Sequence, residues 1–191
     1  MLSFDQEPLI VGNLLGDFVR GRLDHARNSI YPEDIKRGIK LHRHIDSFTD
    51  SHHVVDTCRS ILPDKFGHYK GVIVDMYFDF FLANHFSEYH KTPLAQFSKN
   101  IYQVLKQNHA FIPDTAQPMV ESMTKYDWLT HYQYMEGMKR SFLGMSKRFK
   151  VLKGIDEADE ELAKNKYLYE AQFHIFFPEL KQSCIDFLEE N

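Results

Sequence analysis

Apolar residues recur every three or four positions along most of the chain, which is the spacing of one helix face. In residues 8–20, PLIVGNLLGDFVR, they follow this spacing and predict a first helix. The same pattern predicts further helices over residues 35–48, 64–89, 93–109, 116–126, 128–149, 157–170 and 171–189. No alternation of apolar and polar residues competes as a strand signal. The sequence therefore predicts an all-α protein.

Prolines and acidic residues mark helix boundaries. Pro32 suits a first helical turn, and Glu33 and Asp34 after it suit the positive end of the helix dipole. Pro178 is expected to interrupt or re-aim the last helix. The chain contains no internal repeat, low-complexity tract or interdomain linker. These features predict a single-domain helical bundle over residues 1–191.

The composition narrows the class of protein. Of the 191 residues, 43% are apolar and 14% are aromatic, which is enough for a sizeable core. The formal net charge of −4 gives no general attraction to nucleic acid. No apolar run approaches the roughly 20 residues that span a bilayer, and only two cysteines, Cys58 and Cys184, occur. We therefore expect a cytoplasmic protein with no nucleic-acid or membrane partner.

Three stretches place polar groups close to, or inside, an apolar helical stripe. In the first, residues 12–21 (GNLLGDFVRG), Asn13 and Asp17 share a face because they are four apart. Arg20 follows Asp17 by three residues. A solvated helix face with an Asp–Arg pair has the same pattern, so this stretch alone leaves both interpretations open.

The second stretch, residues 41–50 (LHRHIDSFTD), carries His42, Asp46 and Asp50 at intervals of four, along one ridge of a helix. An imidazole together with carboxylates suits a borderline divalent metal ion. The alternative is a charged surface ridge in which Arg43, in the neighbouring row, supplies the balancing charge.

The third stretch, residues 74–86 (VDMYFDFFLANHF), has Asp75 and Asp79 four apart among large apolar side chains. We expect both carboxylates to be buried. A buried carboxylate is costly unless it is paired or binds a metal ion, and an arginine from another helix is the alternative to a metal. His85 falls six residues after Asp79 and does not share its face closely.

Together, GNLLGDFVRG, GIKLHRHIDSFTD and DMYFDFFLANHF resemble three motif blocks of the acyl carrier protein phosphodiesterase family, in the family's order and at similar distances. The resemblance implies an all-α fold like that of the HD-type metal phosphohydrolases. It also implies a divalent metal ion, commonly manganese, with magnesium and iron(II) as alternatives. The implied reaction is hydrolysis of the phosphodiester between 4′-phosphopantetheine and a serine of acyl carrier protein.

The resemblance also implies roles for individual residues. The implied metal ligands are Asp17, His42, Asp46 and Asp79. Catalytic roles are implied for two further carboxylates and two arginines, namely Asp75, Asp50, Arg20 and Arg43. The carboxylates would accept a proton or hold a second metal, and the guanidinium groups would contact phosphate oxygens.

Two departures from the family pattern accompany the resemblance. Family members begin with a segment resembling N-F-L-A-H, whereas this chain starts with Met1, Leu2 and Ser3. Phe80 stands where the family often has histidine. If the N-terminal histidine of the family is a ligand, this chain carries one ligand fewer.

Docking of an acidic carrier protein on a net negative enzyme requires local positive charge. Residues 139–153 provide it, although a solvated helix face has the same pattern. The predicted contacts are Lys139, Arg140, Lys147 and Arg148, with Lys150 and Lys153 in the same stretch. Two other functions stay open: an HD-like phosphohydrolase for a nucleotide or another small phosphoester, and a non-enzymatic helical binding module whose Asp and His groups form ion pairs.

Overall fold

The structure is a computed structural model that describes residues 1–148 and 154–191. The described residues form α-helices and 3-10 turns and contain no strand, which confirms the all-α prediction. The α-helices are α1 (Glu7–Leu15), α2 (Glu33–Ser51), α3 (His53–Ile61), α4 (Lys70–Asn84), α5 (Phe86–Tyr89), α6 (Leu94–Gln107), α7 (Gln117–Lys125), α8 (Trp128–His131), α9 (Met135–Arg148) and α10 (Ala158–Glu190). The likeness to HD-type proteins stays a prediction.

Several predicted helices have different bounds in the structure. Residues 64–89 form a 3-10 turn followed by α4 and α5, and Gly67 in that turn has φ of 50°, which favours glycine. The helix predicted from residue 128 is divided into α8 and α9. The last two predicted helices are merged in α10, whose helical geometry breaks at Asn165 (φ −119°), whereas Pro178 lies inside the helix.

Two compact units contain these elements. Unit 1 comprises Met1–Phe48, Ala95–Asp127 and Leu180–Asn191, and unit 2 comprises Thr49–Leu94 and Trp128–Glu179. The predicted single domain over residues 1–191 stays a prediction.

The core of unit 1 joins α1 to the first half of α2. Val11 and Leu15 of α1 form one buried cluster with Ile35 and Ile39 of α2 and Val104 of α6. Burial of each such side chain stabilises the fold by roughly 1.5–3 kcal/mol. This packing fixes the C-terminal end of α1 against α2, and polar residues follow directly on both helices.

The core of unit 2 is aromatic and joins α4 to α10. The Phe78 ring centroid lies 5.9 Å from that of Phe173 and 4.9 Å from that of Phe176. The buried Tyr77 hydroxyl donates a hydrogen bond of 2.6 Å to the carbonyl oxygen of Ala158. These contacts hold the polar residues of α4 and α10 within one packed unit.

Candidate functional site

Two glycines allow α1 and α2 to cross closely in unit 1. A Cβ atom at Gly12 would lie 2.1 Å from the carbonyl oxygen of Ile35, and one at Gly38 would lie 2.8 Å from that of Leu9. Real Cβ contacts are not this short, so only glycine fits at either position at this separation. The crossing brings the end of α1 against the middle of α2, where His42 lies.

Gly16 makes room for the His42 imidazole. A Cβ atom at Gly16 would lie 2.1 Å from Cγ and Cδ2 of His42 and 2.6 Å from its Cβ. The ring therefore occupies the space that any other residue at position 16 would fill. This placement points the imidazole at the residues that follow α1.

His42 gathers two of the carboxylates predicted to bind metal. Its Nε2 lies 3.4 Å from Oδ1 of Asp17 and 3.1 Å from Oδ2 of Asp46, while its Nδ1 lies 3.2 Å from Oδ1 of Asn13. The His42 side chain is 15% exposed, against 70% for Asp17 and 59% for Asp46. We call these four residues the His42 cluster. Three of the four predicted ligands thus converge within unit 1.

The electrostatics of the His42 cluster favour a positive charge at its centre. Burial by itself lowers the pKa of His42, but the hydrogen bond with Asp17 and the negative charges of Asp46 and Asp17 outweigh it, so the pKa of His42 is raised. An imidazolium satisfies this demand when no metal is bound. A divalent cation would satisfy the same two carboxylates with a neutral imidazole as third ligand.

The two predicted phosphate-binding arginines occupy different environments in unit 1. The half-buried Arg43 donates Nη2 to the carbonyl oxygens of Val19 and Gly21, each at 2.8 Å. The exposed Arg20 lies between those two anchored residues, and its own carbonyl oxygen accepts from Nη2 of Arg27. The loop after α1 is therefore held by two guanidinium groups and carries Arg20 on its surface.

Asp50 has an arginine partner that the sequence did not indicate. In unit 2 its Oδ1 accepts a hydrogen bond of 2.8 Å from Nη2 of Arg59, whose Nη1 also lies 3.3 Å from Oδ1 of Asp56. Asp50 is thus part of a solvent-facing ion-pair network at the start of α3.

The expectation that Asp75 and Asp79 are buried is wrong, since both side chains are exposed. With Val72 they follow one stripe of α4 at helical spacing, and the aromatic residues fill the other sides of the helix. The pKa of Asp79 is nevertheless raised to about 7, first by partial loss of solvation among the surrounding protein atoms and then by the charge of Asp75.

A second polar cluster in unit 2 was missed by sequence reasoning. Nε2 of His85 lies 2.7 Å from Oε1 of Glu170, and the ring centroids of His85 and His174 are 4.6 Å apart. One ligand atom from each of these residues lies within 4.8 Å of the others, so the three could hold a metal ion. Glu170 and His174 are four apart on α10, which is a local signal, but His85 is distant in sequence.

The predicted docking residues of α9 are all exposed. Lys139 and Lys147 lie in one helical row with Leu143 between them, and Arg140 and Arg148 lie in the adjacent row. Leu143 is 40% exposed. We call these four basic residues the basic face. The other basic residues predicted here, Lys150 and Lys153, lie outside the described residues.

No helix among the described residues is both long enough and apolar enough to cross a membrane. A family model described as acyl carrier protein phosphodiesterase matches residues 1–180. No solved protein structure matches the chain.

Several curated relatives are similar over most of their length. The acyl carrier protein phosphodiesterase of Pectobacterium atrosepticum is 28% identical over 174 residues, covering 91% of this chain and 88% of the relative. That of Serratia proteamaculans is 25% identical over 181 residues, covering 94% and 92%. These names confirm the prediction of an enzyme of the phosphodiesterase class. Because the family model covers nearly all of the chain, this protein belongs to the acyl carrier protein phosphodiesterase family.

Proposed function

We propose that this protein hydrolyses the phosphodiester between 4′-phosphopantetheine and a serine of acyl carrier protein, releasing the arm and leaving apo carrier protein. Family membership and the names of the relatives support this substrate and reaction. The observation that carries the proposal is the convergence of Asp17 and Asp46 on Nε2 of His42.

The donor set of the His42 cluster fits a divalent metal ion. Two carboxylates and one imidazole suit manganese, and magnesium or iron(II) are the competing ions. When bound, such an ion lowers the pKa of a coordinated water and polarises a phosphoryl oxygen. Asn13 holds Nδ1 of His42, which orients Nε2 toward Asp17 and Asp46. The inclusion of Asp79 among the ligands stays a prediction.

The chain's own residues supply the substrate contacts. The exposure of Asp17 and Asp46 leaves the cluster open to a bulky phosphodiester. Because Arg43 is bonded to the carbonyl oxygens of Val19 and Gly21, its main role is to position the loop that presents Arg20. Arg20 then offers two donors to phosphate oxygens, where they offset the charge that develops during the reaction.

The roles of Asp50 and Asp75 as proton acceptors stay predictions. Asp50 accepts a hydrogen bond from the Arg59 guanidinium. Turnover of Asp75→Asn and Asp50→Asn at saturating substrate separates the two, since loss of the proton acceptor lowers kcat.

The Asp17→Asn variant tests the proposed function, with Asp24→Asn as the matched control. Both residues are exposed aspartates of unit 1, but Asp24 forms an ion pair with Arg22 and is not part of the His42 cluster. In a gel-shift assay of holo-to-apo conversion with manganese, we expect Asp17→Asn to lose at least about 100-fold in turnover, because several kcal/mol of charge stabilisation is lost. Normal turnover by Asp17→Asn would refute the role of the cluster.

The same assay separates the two alternative functions. Turnover of nucleotides or small phosphoesters without turnover of holo carrier protein would indicate a small-molecule phosphohydrolase. Purified protein that binds no metal, and whose stability is unchanged in chelator, would indicate a non-enzymatic binding module.

We also propose that the basic face docks the acidic carrier protein, with Leu143 as an apolar contact at its centre. Reversal of charge in Lys147→Glu/Arg148→Glu should raise the KM for carrier protein and leave kcat unchanged. Exposed charges at the edge of an interface mainly change the rate at which the partners associate, not the chemical step. The control is Lys164→Glu, an exposed residue of α10 outside this face. An unchanged KM, or a KM insensitive to salt, would exclude the basic face as the docking surface.

A further inference from the structure

Unit 2 contains a second cluster of potential metal ligands, formed by His85, Glu170 and His174, each of which offers one ligand atom. It shares no residue with the His42 cluster that the proposed function uses. His85 follows the last residue of α4, and its main-chain N–H bonds the Phe81 carbonyl oxygen, which fixes the residue at the helix C-terminus. Glu170 and His174 lie one turn apart on α10, so their side chains project from one face.

Nδ1 of each imidazole has a partner that would orient the ring. Nδ1 of His85 lies 2.8 Å from Oε1 of Glu88, and Nδ1 of His174 lies 3.3 Å from the Tyr89 hydroxyl oxygen. A metal-bound histidine commonly has its second ring nitrogen held by a carboxylate, a carbonyl or a hydroxyl. With Nδ1 of each ring held in this way, Nε2 of each histidine is the nitrogen that remains for a metal ion, together with a Glu170 oxygen.

An ion pair explains only part of this arrangement. A protonated His85 between Glu88 and Glu170 accounts for the hydrogen bonds of 2.8 Å and 2.7 Å. It does not account for the convergence of His174, whose ring meets that of His85 edge-on at an interplanar angle of 68°.

We propose that His85, Glu170 and His174 bind a divalent transition-metal ion, zinc being the best match, at a site additional to the His42 cluster. Two histidines and one glutamate form a known three-residue zinc set that leaves a fourth position open. Zinc–ligand distances of about 2.0–2.2 Å place neighbouring ligand atoms about 3.3 Å apart. The atoms here lie within 4.8 Å of one another, so binding requires only side-chain adjustments.

The site is accessible from solvent. The His85 and Glu170 side chains are 23% and 30% exposed, and His174 is exposed. Zinc would replace the hydrogen bond between Nε2 of His85 and Glu170, and the proton leaves to solvent.

The test is zinc binding by the full chain, measured as competition with a chromophoric chelator. Wild-type protein should bind zinc with one equivalent that disappears in His174→Gln and in Glu170→Gln. His68→Gln is the matched control, because it removes an exposed histidine of unit 2 outside the cluster. Glu88→Gln should weaken binding about 10–100-fold through loss of the partner of His85.

Two further measurements separate this site from the His42 cluster and from misfolding. The zinc equivalent should persist in Asp17→Asn, and zinc should raise the Tm of that variant but not of the double variant Asp17→Asn/His174→Gln. Cobalt(II) bound to the wild type should give the intense visible absorption of a four- or five-coordinate site. Equal zinc stoichiometry in wild type and His174→Gln, with both folded by circular dichroism, would overturn the proposal. Carrier-protein hydrolysis enters none of these readouts.

Discussion

The substitution Gly16→Ala tests whether the space beside Gly16 positions the His42 imidazole. Gly16 has helical dihedral angles (φ −51°, ψ −42°), so its backbone accepts alanine without strain. At a position whose backbone accepts alanine, replacing glycine stabilises a protein by about 0.4–1 kcal/mol, chiefly by restricting the unfolded chain. Any loss of stability therefore has to come from the added methyl group and its contact with His42.

The magnitude follows from the contact distances. The new Cβ would lie 2.1 Å from Cγ and Cδ2 of His42 and 2.6 Å from its Cβ, so rotation of the ring alone does not relieve the overlap. Overpacking of this kind costs about 1–3 kcal/mol. The displaced ring also loses the contacts of His42 Nε2 with the carboxylates of Asp17 (3.4 Å) and Asp46 (3.1 Å). Because these carboxylates are largely exposed, the loss of each pair adds only about 0–1 kcal/mol to the destabilisation. With the middle of each range and the gain from replacing glycine subtracted, we expect a net loss of about 2 kcal/mol.

The pH dependence has a defined sign. The pKa of His42 is raised above its ordinary value of 6.5 in the folded protein. Stabilisation by the carboxylates is therefore fully present below pH 6.5 and is lost as the pH rises through the raised pKa. Without metal, the deficit of Gly16→Ala should be largest in mildly acidic solution and should shrink as the pH rises through the raised pKa of His42.

Urea unfolding in chelator, at several pH values, measures this deficit. Gly144→Ala is the matched control, because Gly144 lies inside α9 and a Cβ atom there would meet nothing within 4 Å. That control should be stabilised by up to about 1 kcal/mol. Gly16→Ala should also bind manganese more weakly, whereas Gly144→Ala should not. If Gly16→Ala is as stable as Gly144→Ala and binds manganese normally, the steric account of the His42 position is wrong.

Three other predictions test the packing. Gly12→Ala should lower the free energy of unfolding by at least about 3 kcal/mol, because its Cβ would lie 2.1 Å from the backbone oxygen of Ile35, which cannot rotate away. A smaller loss of unfolding free energy, measured by urea denaturation, would contradict the close crossing of α1 and α2. Tyr77→Phe should cost about 0.5–1.5 kcal/mol by removing the hydrogen bond from the buried hydroxyl to the carbonyl oxygen of Ala158, and an unchanged midpoint would contradict that bond. Burial raises the pKa of Cys58 from 9.0 to about 12, so its labelling by a thiol reagent at pH 8 should be about a thousandfold slower in native than in denatured protein, and equal rates would contradict the burial.

Local periodicity was enough to predict the helical class and part of the site. Asp46 follows His42 by one helical turn, and their contact was predictable because i and i+4 residues meet on any α-helix. The motif blocks added Asp17 as a third member, and the structure confirms its approach to His42. The exposure of Asp75 and Asp79 was not predictable, because apolar residues surround them in sequence and only the neighbouring elements decide which stripe of α4 meets solvent.

The tertiary structure alone decided how distant residues meet. The His42 imidazole occupies a space that exists because Gly16 lacks a side chain, and nothing in the periodicity of α1 indicates that α2 fills it. His85 meets Glu170 across 85 residues of sequence. Hydrophobic spacing specifies which face of a helix is buried, but it does not specify the partner, because apolar burial is non-directional. The close crossings and polar contacts that select one partner arise only when the helices pack.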